Sequence, residues 1–176
     1  MSNLRFNVAQ LLQEYVGGTR QHTFDDPALD LGDGLSLQPV EGAVKFTRTK
    51  NGVLARTTAA GEVELECVRC LTPFNQPVDV TFDEEYYATV HSTTGAPLPE
   101  PEEEDMFRIN SSHLLDLGDA IREYALLALP IAPTCRADCR GLSITGINLN
   151  EQPTADTIDD EPIDERLAAL KQLLTS

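Results

Sequence analysis

Residues 40–67, VEGAVKFTRTKNGVLARTTAAGEVELEC, decide the fold of this chain. Apolar and polar residues alternate on both sides of Asn51-Gly52, a dipeptide typical of tight β-hairpin turns. A period of two places every second side chain on the same face of a strand. The pattern therefore predicts a hairpin with one apolar face, which carries Val44, Phe46, Val53 and Ala55.

The same alternation continues beyond the hairpin. Apolar residues at 63 and 65 lie between Glu62, Glu64 and Glu66, which indicates that the three glutamates line the solvent face of the sheet. A further strand follows and ends near Tyr86-Tyr87; its apolar positions are Phe74, Val78, Val80 and Phe82. Residues 35–89 are thus predicted to form an antiparallel meander of about four strands.

Helical periodicity occurs in three places, which predicts an N-terminal helix in residues 4–18, a second near 116–129 and a C-terminal one in 162–174. Asn7 is a suitable N-cap for the first. Asp116, with an acid at 119, resembles a capping box for the second. Together these elements predict an α+β fold, a curved antiparallel sheet that could close into a barrel, with about three helices.

The 176 residues are long enough for one domain that buries a core without disulfides. We expect a single domain over 1–176, with an acidic flexible loop at 90–105 and a loop-rich segment at 131–160. No run of about 18 apolar residues is present, and the N-terminus lacks the apolar core of a signal peptide. A cytoplasmic protein without a membrane partner is expected.

Charge is distributed unevenly along the chain. The sequence has 13 basic and 29 acidic residues, a net charge of −16. Residues 61–130 contain 15 of the acids and three of the bases. This excludes a generally basic nucleic-acid-coating protein and favours a basic partner. Direct RNA contact stays open at a few local bases, which are Lys45, Arg48, Lys50, Arg56, Arg136 and Arg140.

The four cysteines come in two pairs, Cys67 with Cys70 and Cys135 with Cys139. The first pair falls where one predicted strand ends and the next begins, and the second lies in a proline-flanked loop. Four thiolates are the ligand set of a closed tetrahedral zinc site. Unmetallated thiols, a fortuitous disulfide and redox catalysis are the alternatives. The glutamates before Cys67 oppose the low thiolate pKa that redox catalysis needs.

Catalytic patterns are otherwise missing from the sequence. There is no G-x-S-x-G elbow and no phosphate-cradling glycine loop, and residues 32–34 form an acidic Gly-Asp-Gly turn. His22, His91 and His113 are not at metal-binding helical spacing. We therefore expect a protein that is not an enzyme and has no small-molecule substrate.

Four segments together resemble the YceD family of large-subunit ribosomal RNA accumulation proteins. They are Val63–Phe74 with C-x-R-C-L-x-P-F, Asp116–Pro130 with D-L…R-E…L-L-x-L-P, Pro133–Asn150 with P-x-C…D-C…G-L and G-x-N-L-N, and Ile163–Leu170 with I-D-x-R-L-A-x-L. Many relatives carry further cysteines where this chain has Ser143 and Thr145. Any metal here must therefore draw on Cys67, Cys70, Cys135 and Cys139 together.

The resemblance implies a non-enzymatic role in the synthesis, processing or stability of large-subunit ribosomal RNA, hence in ribosome biogenesis. The acidic middle third then suggests contact with a basic large-subunit ribosomal protein or a pre-ribosomal particle. The alternative is a zinc- or thiol-dependent protein with redox or enzymatic activity built on the two cysteine pairs.

Overall fold

The computed structural model describes residues 4–99 and 106–153. Most of their regular structure is β. The strands are β1 Arg5–Asn7, β2 Thr19–Asp26, β3 Leu29–Gly32, β4 Leu35–Arg48, β5 Gly52–Glu66, β6 Pro73–Ala88, β7 Arg108–Ile109 and β8 Leu114–Asp116. The helices are α1 Ala9–Leu12 and α2 Gly118–Ala128. Neither helix is long and apolar enough to cross a membrane.

One large sheet organises the fold. Its strand order is β2-β4-β5-β6-β7, and β3 pairs with the start of β4. Strand β5 pairs antiparallel with both β4 and β6, as the alternation predicted, whereas β7 joins β6 in parallel. Strands β1 and β8 form a separate antiparallel pair.

The apolar face of the hairpin is the centre of the core. Val44, Phe46, Val53 and Ala55 are all buried, which confirms that they share one face. Helix α2 covers this side of the sheet with Ile121 and Ala125. Tyr124 stacks on Phe82 with ring centroids 4.4 Å apart, and its hydroxyl donates to Glu84 at 2.6 Å.

Gly52 of the hairpin is needed because the backbone of β6 passes close to it, and not because the turn requires a positive φ. Gly52 is the first residue of β5, and a Cβ built there would lie 1.9 Å from the Tyr86 carbonyl oxygen. The turn is closed by Thr49, whose N–H donates to the Gly52 carbonyl at 3.1 Å. The predicted hairpin is present. The glycine of the Asn-Gly pair, however, is required by Tyr86 on β6 and not by the turn itself.

The predicted fold class is wrong in its helix content and in barrel closure. The part of the chain that the structure describes has two helices and is mostly β. Strands β2 and β7 end the path of the sheet without pairing with each other, so the sheet over these residues is open. The predicted C-terminal helix, 162–174, lies outside the described residues.

The N-terminal segment shows why a local pattern misled. Residues 5–7, expected to begin a helix, form strand β1 and pair with β8, and Arg5 binds Asp116 at 2.7 Å. Only four residues, Ala9–Leu12, are helical, and Tyr15, which lies within the predicted helix, is 79% exposed. Strand β8, about 110 residues further along the chain, pairs with the backbone N–H and C=O groups of β1. In a helix, those groups would have bonded to residues of the same segment.

The second helix begins later than predicted. Asp116 ends β8, and its Oδ1 accepts from the Gly118 N–H at 2.9 Å. Leu117 is the N-cap and makes no side-chain capping bond, so the expected capping box is not formed. Asp116 thus binds Arg5 through Oδ2 and the first N–H of α2 through Oδ1, and the burial of Leu117 also fixes the helix start.

Candidate metal centre

All four cysteine sulfurs meet at one point of the fold. Their Sγ atoms lie within 4.8 Å of one another, and none is in a disulfide. Cys67 Sγ is 3.8 Å from Cys139 Sγ, and Cys70 Sγ is 3.6 Å from Cys135 Sγ. The two pairs that the sequence singled out therefore form one cluster. Each of the two short Sγ–Sγ distances joins a cysteine of the first pair to a cysteine of the second.

The turn between β5 and β6 positions the first pair. The Leu71 N–H donates to the Cys67 carbonyl at 2.9 Å, and the Cys67 N–H donates to Thr72 O at 3.0 Å. Leu71 has a φ of 58°, in the left-handed region that bulky residues rarely adopt. This tight reversal turns both sulfurs towards the same side, as expected from the position of the pair between strands.

The second pair is held by bonds from its loop to that turn. The Val68 N–H donates to Pro133 O at 2.9 Å, and Arg69 Nη1 donates to Cys139 O at 3.1 Å. At Gly141 φ is 79°, and a Cβ there would lie 3.2 Å from the Arg69 carbonyl oxygen. The loop thus lies directly against the turn, and the cluster sits between them.

The cluster has its own small apolar environment, separate from the main core. Cys67, Cys70 and Cys139 are at most 5% exposed, and Phe74 and Leu142 pack against them. Cys135 is half-buried. The surrounding residues therefore exclude water from most of the cluster.

The geometry and the chemistry of these sulfurs fit a zinc ion. A tetrahedron of sulfurs about 2.3 Å from zinc has edges of about 3.8 Å. The two close Sγ–Sγ distances match that edge, and both exceed the disulfide bond length of about 2.05 Å. Four thiolates are also the soft ligands that zinc accepts in closed structural sites.

The protein environment favours the thiolate at the first pair. Burial raises the pKa of Cys67, but the backbone N–H groups of Cys135, Cys70 and Arg69 outweigh it and lower that pKa to about 6. Hydrogen bonds from Thr72 lower the pKa of Cys70. Burial and the neighbouring sulfurs raise the pKa of Cys135 to about 12. A bound cation would supply the attraction that Cys135 needs to lose its proton.

Two polar side chains beside the sulfurs were missed as candidate site residues. Thr72 Oγ1 lies 3.4 Å from Cys70 Sγ, and Asn150 Nδ2 donates to Cys139 Sγ at 3.3 Å. Thr72 stands two residues after Cys70, and Asn150 ends the G-x-N-L-N segment. The only sequence signal was their nearness to the cysteines, since hydrogen bonding to sulfur leaves no periodic pattern.

Three of the six candidate RNA-contacting bases are engaged within the protein. Arg56 forms a bidentate pair with Asp83, at 3.0 and 2.7 Å. The Arg48 guanidinium donates to the carbonyls of Leu12 and Gly52, at 3.1 and 2.9 Å, and also to that of Thr49. Arg136 donates to Asn150 Oδ1 at 2.6 Å. These contacts compete with phosphate for half of the candidate bases.

The solvent face of the large sheet carries many carboxylates. Glu62, Glu64 and Glu66 are exposed on β5, as predicted. Asp25 of β2 lies directly opposite Glu41 of β4, which is followed across the sheet by Ala60 and Asp79. We call these residues the acidic face: Asp25, Glu41, Glu62, Glu64, Glu66 and Asp79. Lys45 of β4 pairs with Arg56 of β5 four positions along the ladder from the pair of Glu41 and Ala60, beyond this set.

These features define a mostly β domain with an open sheet, an acidic face and a four-cysteine cluster. The chain belongs to the YceD family, described as "Large ribosomal RNA subunit accumulation protein YceD", which matches residues 55–174. That match includes all four cysteines. The family description names an accumulation protein and not an enzyme.

Curated relatives come from mycobacteria and are described as uncharacterised proteins. One from Mycobacterium tuberculosis is 33% identical over 148 residues, which cover 84% of this chain and 65% of that protein. One from Mycobacterium leprae is 32% identical over 104 residues, 59% of this chain and 46% of that protein. This chain thus spans less than two thirds of these relatives' length. No solved structure matches it.

Proposed function

We propose that this protein supports the accumulation of large-subunit ribosomal RNA without catalysing a reaction, by holding a basic ribosomal protein or a pre-ribosomal particle. Family membership supports the ribosomal role. The acidic face of the sheet is the observation that carries the mode of action. It offers carboxylates on four neighbouring strands at fixed spacing, and complementary charge speeds and orients such encounters.

The acidic face suits a cationic protein better than RNA. Asp25 and Glu41 are opposite each other, and like charges in that position repel. A Lys- or Arg-rich segment laid across the face would relieve this repulsion, whereas phosphates would add to it. Two of the four candidate bases on the hairpin, Arg48 and Arg56, are engaged within the protein, which reduces what the hairpin can offer to RNA.

Affinity capture with the full chain tests the proposal. We expect large-subunit ribosomal proteins or precursor particles to be retained at low salt and lost at high salt, since exposed charges are screened. The double variant Glu62→Lys with Glu64→Lys should lose this capture. Glu123→Lys, a single reversal of an exposed charge on α2, should retain it. Capture that is insensitive to salt and to the β5 reversals would refute the proposed mode.

We also propose that the four cysteines bind one structural zinc ion, which would fasten the loop of residues 131–150 to the β5–β6 turn. The matching Sγ–Sγ distances support this. Metal analysis of freshly purified protein should give one zinc per chain, and Cys67→Ser should lower that value sharply. Substoichiometric zinc that is unchanged in Cys67→Ser would refute the metal site.

A thiol-dependent redox enzyme is the second candidate, and the low pKa of Cys67 favours it. The burial of Cys67 argues against this candidate, because a substrate could not reach a sulfur that is fully buried. Its pair also lies in a turn between strands and not at the start of a helix, where redox thiols are activated. Rapid iodoacetamide labelling of Cys67 in the folded protein would support the redox candidate, and labelling only after unfolding would exclude it.

A further inference from the structure

The side-chain amide of Asn150 uses all of its hydrogen-bonding capacity beside the cysteine cluster. Its Oδ1 accepts from the Arg140 N–H at 2.9 Å and from Arg136 Nη2 at 2.6 Å. Its Nδ2 donates to Asn148 Oδ1 at 2.8 Å and to Cys139 Sγ at 3.3 Å. Two acceptor positions and two donors are the complete inventory of an asparagine amide.

These four contacts leave one orientation for the amide. Arg140 and Arg136 both present donors, so the atom facing them must be the oxygen. The nitrogen then faces Asn148 Oδ1 and the sulfur, and one N–H must point at Cys139 Sγ. A flipped amide would set N–H against N–H on one side and oxygen against oxygen on the other.

Hydrogen bonds to the sulfurs matter because of the charge that a metal site would hold. Four thiolates around one Zn²⁺ leave two negative charges in an apolar pocket. N–H groups directed at sulfur stabilise that charge, as charged acceptors form the stronger hydrogen bonds. Cys67 has backbone N–H groups and Cys70 has Thr72 for this purpose, and Asn150 is the side chain that serves Cys139.

The geometry points to Asn150 as a positioning residue of the metal centre, whose amide N–H stabilises Cys139 as a zinc-bound thiolate. The inference rests on the proposed zinc site. It also gives a role to the end of the G-x-N-L-N segment, because Asn148 Oδ1 accepts from both the backbone N–H and the side-chain N–H of Asn150. The loop thereby presents a sulfur and the donor for that sulfur together.

Asn150→Asp removes the N–H directed at Cys139 and keeps the acceptor atom for Arg140 and Arg136. It also removes the N–H that donates to Asn148 Oδ1, a loop contact whose loss is measured separately by unfolding of the metal-free protein. Asn110→Asp is the matched control, since Asn110 Oδ1 accepts from Ser112 and Leu114 N–H groups at 2.9 Å in a turn away from the cysteines. Both variants add one negative charge.

The full chain is loaded with Zn²⁺, or with Co²⁺ as a spectroscopic probe, and titrated with a chromophoric chelator. We expect Asn150→Asp to bind zinc 10- to 100-fold more weakly than wild type and to shift the near-ultraviolet thiolate-to-Co²⁺ band. Asn110→Asp should match wild type in both. Unfolding of the metal-free proteins in urea reports the purely structural effect of each change.

The outcomes separate the two proposals. If wild type binds no zinc, the metal site itself is refuted. If wild type binds zinc and Asn150→Asp shows the wild-type affinity and Co²⁺ band, the role of Asn150 is refuted while the site stands. A weaker affinity with an unchanged band, accounted for by lower metal-free stability, would assign Asn150 to loop closure and overturn the inference.

Discussion

Cys67 and Cys139 are 72 residues apart in the chain, and their sulfurs are 3.8 Å apart in the fold. The contact joins the end of β5 to a loop that has no strand or helix of its own between residues 131 and 153. The Val68 N–H, which donates to Pro133 O, and the Arg69 guanidinium, which donates to Cys139 O, support it. These contacts between the loop and the β5–β6 turn all lie at or beside the cysteine cluster.

Removal of metal should loosen this loop selectively. We expect chelation to speed hydrogen exchange at the amides of Val68 and Cys139, which bond to Pro133 O and Arg136 O. Amides in the centre of β5 and β6 should keep their protection, since the main core does not involve the cluster. Exchange followed by mass spectrometry measures both regions. Equal exchange with and without chelator would show that the loop is held without metal.

Gly141→Ala should destabilise the protein and weaken metal binding. Its φ of 79° costs an L-residue about 1–2 kcal/mol, and the new Cβ would crowd the Arg69 carbonyl oxygen at 3.2 Å. Gly146→Ala is the control, because its φ is 80° and nothing lies within 4 Å of its Cβ. Urea unfolding should show similar backbone costs, with a loss of zinc affinity confined to Gly141→Ala. Equal zinc affinities would contradict the crowding argument.

Tyr86→Phe should stabilise the protein by about 1 kcal/mol, because the buried Tyr86 hydroxyl has no partner among the described residues. Burial, with the nearby charge of Glu84, also raises the pKa of Tyr86. The unfolded chain therefore loses this proton first, and wild type loses stability as the pH rises above about 10.

Urea midpoints at pH 7 and at pH 10.5 should thus show a gap between Tyr86→Phe and wild type that widens at the higher pH. Tyr15→Phe, at a 79% exposed site, should leave the midpoint at pH 7 unchanged. A loss of stability in Tyr86→Phe would show that the hydroxyl has a buried partner such as water.

Glu41→Gln should stabilise the free protein by roughly 0.2–1 kcal/mol, because it removes the repulsion between Glu41 and Asp25 on neighbouring strands. The gain should shrink at high salt, which screens exposed charges. Glu123→Gln, on the exposed face of α2, removes the same charge elsewhere and should have a smaller effect. Unfolding in urea at low and high salt measures both, and a salt-independent gain would exclude a charge effect.

Prediction from sequence succeeded where a residue's environment follows from its immediate neighbours. The alternation around residues 40–67 identified the buried face of the hairpin and the exposed glutamates, since a strand places every second side chain on one face. It failed at residues 5–7, where the partner strand is Leu114–Asp116. Strands β2 and β3 were likewise missed, because their pairing with β4 sets them in the sheet.

The sequence by itself determined the antiparallel meander, the concentration of acid in the middle third, and the identity of the four cysteines as the candidate ligands. Only the tertiary structure decided that the sulfurs meet, that the sheet stays open over the described residues, and that Asn150 turns an N–H towards Cys139. Side-chain periodicity is a local property of the backbone. The distance between two residues that are 72 positions apart depends on every turn between them, and no local pattern encodes it.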